Sequence, residues 1–143
     1  MMKIEALPEY ARDLLATAPV GRLGLLDDAG RPRVLPVTFA LHENALWSAV
    51  DHKPKRRDRE LARLRWLRHR PEAALTVDVY DDDWSRLRWV QVLGTVEILE
   101  ASAAERPLAA LVAKYPQYAE QRPAGPLLHL TPERVLHWSA SEG

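Results

Sequence analysis

A chain of 143 residues, 47% hydrophobic and 28% charged, can build one globular core but not two, and is too apolar to stay disordered. Its 20 basic and 20 acidic residues cancel to zero formal charge, which argues against a dedicated nucleic-acid binder. Cysteine is absent, which excludes disulfides, thiolate metal sites, iron–sulfur clusters and cysteine nucleophiles. The chain start reaches Glu5 and Pro8 without an apolar signal core, and no apolar run matches a bilayer, so a soluble, cytoplasmic protein with no membrane partner is expected.

Residues 4–17 read as a helix, with Pro8 near its first turn and Tyr10, Leu14 and Leu15 on one side. A strand over 20–26 closes on Asp27-Asp28-Ala29-Gly30, a turn composition suited to a hairpin. The next strand, 33–41, alternates Leu35, Val37, Phe39 and Leu41 against Val34, Pro36, Thr38 and Ala40. Pro36 cannot donate to a ladder, so this strand is irregular or has a free edge there. His42-Glu43-Asn44 turns the chain into a third strand, 45–50, followed by a polar, basic loop over 51–57.

A helix over 58–70 is expected, with Asp58 as N-cap, a stripe of Leu61, Leu64 and Leu67, and Pro71 as its stop. A strand over 73–80 alternates, and after Asp81-Asp82-Asp83-Trp84 a longer one over 88–100 is interrupted by Gly94, which suggests a bend or close backbone approach. Ser102 and Glu105 have capping-box spacing for a helix running to about 115. A loop over 115–126 leads to a last β segment, 127–139, broken near Pro132. Antiparallel strands with few helices point to a mainly β protein, a β-barrel with helical caps in a single domain over 1–143.

Nine of the 20 basic residues fall within 53–70. Lys53, Lys55, Arg56 and Arg57 cluster at a strand-to-helix junction, where helix N–H groups and the macrodipole favour an anion, and lysine with arginine suits a phosphate. The helix arginines read better as a solvated basic face. Five tryptophans against one phenylalanine offer flat surfaces for a planar ligand, although most suit a core or an interface. Trp84 in an acidic loop is the least easily explained that way. The five histidines lack paired metal-ligand spacing, and the Asp81 to Asp83 run reads as a hydrated turn. No P-loop, dinucleotide fingerprint or nucleophile elbow occurs, so a bound cofactor is expected to carry the chemistry.

Several segments together carry a family likeness: Val20-Gly-Arg-Leu-Gly24, the strand from Gly30 to Ala40, Ala49-Val-Asp-His-Lys-Pro-Lys55, Val77-Asp-Val-Tyr-Asp-Asp-Asp-Trp84 and Trp89-Val-Gln-Val-Leu-Gly-Thr-Val96. In these the chain resembles the pyridoxamine 5'-phosphate oxidase-like split β-barrel family, in its deazaflavin (F-420)-dependent branch. The resemblance implies an FMN-binding type of split barrel that forms a homodimer with cofactor in clefts between the protomers. It implies Lys53, Lys55, Arg56 and Arg57 at the cofactor phosphate and Pro36, Val37 and Thr38 along the ring. Ser48, Ala49 and Val50 would run beside the ring and ribityl chain, with Trp84 and Trp89 closing the pocket from the partner. Relatives often carry asparagine where Trp66 stands. The implied activity is hydride transfer from reduced F-420 to a small conjugated organic molecule. An FMN flavoprotein and a non-enzymatic cofactor-binding module are the alternatives.

Overall fold

The computed structural model describes residues 2–50 and 61–141. Among these the order is α1 (Glu9–Thr17), β1 (Gly21–Leu26), β2 (Pro32–Val37), β3 (Ala40–His42), β4 (Ala45–Ala49), α2 (Ala62–His69), β5 (Glu72–Val79) and β6 (Arg88–Leu99), then α3 (Glu105–Lys114), α4 (Pro116–Glu120) and β7 (Leu127–Ser139). The strands form one antiparallel sheet in the order β2-β1-β5-β6-β7-β4-β3.

The two edges of that sheet, β2 and β3, are consecutive in the chain and separated only by Thr38 and Phe39. Edge strands joined by so short a step must lie close together, so the sheet curls into a barrel whose split falls at that step. The single strand expected over 33–41 is therefore two. Its first part pairs with β1, Val37 opposite Gly21, and its second with β4, Ala40 opposite Trp47. Pro36 sits on the sheet edge, where its missing N–H is tolerated.

Period-two alternation sends Leu23, Leu25, Val37, Leu75, Val77, Val90, Val92, Val96, Leu128 and Leu130 into the barrel, all buried. Each contributes about 1.5–3 kcal/mol by leaving water. Ala11, Leu14 and Leu15 of α1 and Leu64 and Leu67 of α2 extend this core. A second, smaller core lies on the other side of the sheet, where Leu108 and Leu111 of α3 join Ala40, Ala45, Trp47 and Leu127.

Several boundaries differ from the sequence expectation. The helix over 4–17 is a 3-10 turn, Ile4–Ala6, followed by α1, because Pro8 stands extended (ψ 152°) at the N-cap. Leu61 precedes α2 with an extended ψ of 143°, so only Leu64 and Leu67 form its buried stripe; Asp58 lies outside the described residues. Ser102 does not cap α3. Ala101–Ala103 make a 3-10 turn, and Ala104 is the N-cap without a side-chain hydrogen bond. The loop expected over 115–126 contains α4, begun by Pro116 in its first turn.

β7 runs through Pro132 as one strand but is irregular there, as the sequence suggested. Leu93 pairs with Arg134 and Gly94 with Pro132, so Glu133 is the extra residue of a bulge in β7 facing the Leu93–Gly94 step of β6. Pairing of β4 with β7 is confined to 127–130, so no β4 ladder bond is lost at Pro132.

Candidate functional site

The turn that leaves β2 has a backbone problem. At Thr38 and Phe39 the chain quits one ladder before joining the next, so its N–H and C=O groups need partners from elsewhere. Residues of α3 and α4 supply them. The Phe39 N–H donates to the Tyr115 phenol oxygen at 3.0 Å. Lys114 Nζ donates to the carbonyls of Phe39 and Ala18, both at 2.8 Å. The Tyr115 hydroxyl reaches the Pro19 carbonyl at 2.9 Å, with that of Phe39 at 3.0 Å.

Thr38 is gripped from two sides. Ser48 Oγ, on β4, donates to the Thr38 carbonyl at 2.7 Å, and the Tyr118 hydroxyl lies 2.7 Å from Thr38 Oγ1. The Val50 N–H donates to the Pro126 carbonyl at 3.0 Å, which fixes the exit of β4. The split is thus lined by a threonine, a serine and two tyrosines around a lysine. Burial raises the Tyr115 phenol above its usual value and pushes Lys114 down to about 8. The lysine also lies 4.0 Å from the Phe39 ring and 5.3 Å from that of Tyr115.

The expected site residues separate into three groups. Thr38 and Ser48 meet directly at the split. Val37 and Val50 instead point into the core, and Ala49 packs half-buried against the cluster under α3. Pro36 faces outward in the row Pro36, Arg22, Thr76, Gln91, Leu136 that crosses β2, β1, β5, β6 and β7. Trp89 lies on that same outer surface, between Asp78 and Trp138. Trp84 is 68% exposed in a 3-10 turn, Trp84–Arg86. Lys53, Lys55, Arg56 and Arg57 lie outside the described residues.

The aspartates before Trp84 act as turn caps. Asp81 accepts from the Asp83 N–H at 2.8 Å, and Asp83 accepts from the Ser85 hydroxyl and N–H. The Ser85 hydroxyl, with its N–H, holds the Asp83 carboxyl below its usual range. An arginine of α2 and the one that follows the helix are engaged structurally. Arg65 pairs with Asp28 at 2.8 Å, and Arg70 donates to the carbonyls of Asp27 and Asp28. Trp66 receives the Arg33 guanidinium 4.7 Å from its ring.

Lys114, Tyr115 and Tyr118 were not legible as site residues. They stand 75 to 80 positions from Thr38 and Phe39 in the chain, and the one local signal was a lysine outside the basic cluster. A second feature escaped as well: Trp47 stacks on His129 at 4.0 Å and 6°. His129 Nδ1 is buried without a hydrogen bond, 3.8 Å from Glu97 Oε1, and burial holds its pKa below the usual value while Glu97 opposes that.

Chemically, the split presents hydroxyl groups beside apolar strand surface and, among the described residues, no nucleophile–base pair. Such a lining suits the polar edge of a flat heteroaromatic group, with hydroxyls as donors or acceptors and strand side chains against the ring.

No curated protein matches the chain. Among solved structures it is similar to a conserved hypothetical protein from Mycobacterium tuberculosis (TM-score 0.75, 18% identity, covering 94% of this chain and 86% of that one). It is also similar to a FAD-binding protein from Mesorhizobium loti (TM-score 0.65, 20% identity, 92% and 94% covered). A third similar structure is an F-420 reductase (TM-score 0.67, 20% identity, 91% and 98% covered). At these identities the likeness is one of fold. The sequence model for pyridoxamine 5'-phosphate oxidase matches residues 7–139, nearly the whole described barrel. The chain belongs to the pyridoxamine 5'-phosphate oxidase family, and its barrel is the family's split barrel.

Proposed function

We propose that this protein is an oxidoreductase that uses deazaflavin F-420 and moves a hydride between it and a small conjugated organic substrate. The observation that carries the reading is the split itself. Thr38, between β2 and β3, meets Ser48 of β4 there, and Lys53, Lys55, Arg56 and Arg57 follow β4 shortly afterwards in the sequence. A ring against Thr38 and Ser48 would leave its phosphate to that basic segment, whose lysines and arginines suit a phosphate. When bound, the cofactor supplies the hydride chemistry, and the chain supplies orientation, hydrogen bonds and a dry surface.

The second copy belongs to the same reading. The outer surface of β2, β1, β5, β6 and β7 carries Val34, Trp89 and Trp138, which are 66%, 36% and 43% exposed, with Pro36 and Leu136 between them. A second copy covering this surface would bring a partner's Trp84 or Trp89 toward the cofactor ring. FMN is the second reading, because it shares the ribityl phosphate and a solved structure of the same fold is a FAD-binding protein.

The test is side-by-side titration of ligand-free protein with FMN and F-420. Tight F-420 and weak FMN binding is expected, and Lys53→Ala with Lys55→Ala should weaken binding about tenfold or more, the scale of a lost charge-assisted contact. Preference for FMN moves the assignment to a flavoprotein, and absence of binding to either removes the cofactor reading.

A further inference from the structure

We propose that Tyr118 is a positioning residue for the ring, acting through Thr38; this rests on the cofactor reading above. Its phenol directs the Thr38 hydroxyl proton outward, toward an acceptor on the ring's polar edge.

The argument starts from proton counting. Thr38 Oγ1 and the Tyr118 hydroxyl lie 2.7 Å apart, and one O–H fills the gap. A phenol O–H is more acidic than an aliphatic alcohol and so the stronger donor, and the favoured arrangement has Tyr118 donating and Thr38 accepting. The Thr38 proton is then available to a third group. Within the chain, the Thr38 carbonyl already accepts from Ser48 Oγ, which fixes the residue's backbone from the opposite strand.

The neighbouring contacts hold this geometry in place. Both backbone polar groups of Phe39 are tied to the end of α3, the N–H to Tyr115 just beyond it and the carbonyl to Lys114, its last residue. The Tyr115 and Tyr118 rings pack edge to face, with centroids 5.5 Å apart and planes at 67°. Thr38 therefore has little freedom to turn away. A chain of two O–H groups also polarises, so the outer donor strengthens as its acceptor gains negative charge. Because a ring carbonyl or ring nitrogen becomes more negative on reduction, the pair should favour the reduced cofactor over the oxidised one.

The experiment titrates oxidised and reduced FMN and F-420 into wild type, Tyr118→Phe, Thr38→Val, Thr38→Ser and the Tyr118→Phe/Thr38→Val double variant. The expected result is a reduced-to-oxidised affinity ratio that falls about five- to tenfold in Tyr118→Phe and in Thr38→Val, the scale of one hydrogen bond. Thr38→Ser retains the wild-type ratio, and the double variant falls no further than Thr38→Val. A wild-type ratio in Tyr118→Phe overturns the proposal while leaving cofactor binding in place, as does a double variant whose losses simply add. If wild type binds neither cofactor, the cofactor reading fails and this proposal fails with it.

Discussion

Lys114 places an ammonium group among two carbonyls and two aromatic rings, partly out of water, and burial pushes its pKa down to about 8. Once deprotonated, the amine keeps two N–H donors, one for each carbonyl, so the clamp on Phe39 survives the loss of charge. The unfolded chain holds that proton up to about 10.4. Between pH 8 and 10 the unfolded state therefore binds more protons than the native one, and stability rises with pH. The contribution is on the order of 1 kcal/mol once screening of a half-exposed group is allowed for. Above pH 10 the raised Tyr115 phenol acts in the opposite sense, because the native state then holds the extra proton. Denaturant melts of wild type and Lys114→Met at pH 7, 8, 9 and 10 should show the wild type gaining on the variant across that window. Parallel curves would refute the burial argument.

The glycines of the sheet give a second residue-scale contrast. A Cβ at Gly94 would lie 1.9 Å from the Thr131 carbonyl oxygen, a backbone atom that cannot swing aside. At Gly24 the nearest such atom, the Ala74 carbonyl oxygen, is 3.8 Å away. Gly94→Ala should lower Tm by roughly 5–10 °C, the effect of ~1–3 kcal/mol of overpacking, whereas Gly24→Ala should stay within about 1 kcal/mol of wild type. Equal melting temperatures for the two variants would mean that β6 can shift its register at no cost.

At the scale of elements, the strands were legible wherever alternation faced a single core. Leu75, Val77, Val90 and Val92 were readable from period two because one side of their strands is buried. The break at Thr38 was not, because alternation runs unbroken from Arg33 to Leu41 and the change of ladder partner leaves no mark on hydropathy. Helix boundaries failed for local reasons. Ser102 and Glu105 have the right spacing, but an intervening 3-10 turn removes Ser102 from the cap, and Pro116 began a helix where proline had suggested a loop. The site was half visible. Ser48 lies on a recognisable strand and Thr38 in a recognisably alternating segment, whereas Lys114, Tyr115 and Tyr118 reach them only through packing of α3 onto β3 and β4. Long-range contacts of that kind have no signature in a single sequence.

For the whole molecule, the distribution of cover over the sheet is the informative feature. One surface of β3, β4 and the first part of β7 is closed by α3, and the barrel interior is filled. The outer surface of β2, β1, β5, β6 and the end of β7 leaves Val34, Trp89 and Trp138 exposed, with Trp89 directly opposite Trp138 across the β6–β7 pair. Large indoles exposed side by side on a strand surface are costly for a monomer and suit a surface that a partner covers. A second copy is the occupant expected here, since the cofactor cleft would then be completed by its aromatic residues. Sedimentation equilibrium should give twice the 16.2 kDa chain mass for wild type. Val34→Glu with Trp138→Glu should raise the dimer dissociation constant at least about 30-fold, the effect of removing a central aromatic contact. Because both side chains are exposed in the single chain, the variant should keep its secondary structure, so a loss of cofactor affinity on dissociation would show that the site needs both copies. A monomeric wild type with full cofactor affinity would leave the site within one barrel and the tryptophan surface without this role.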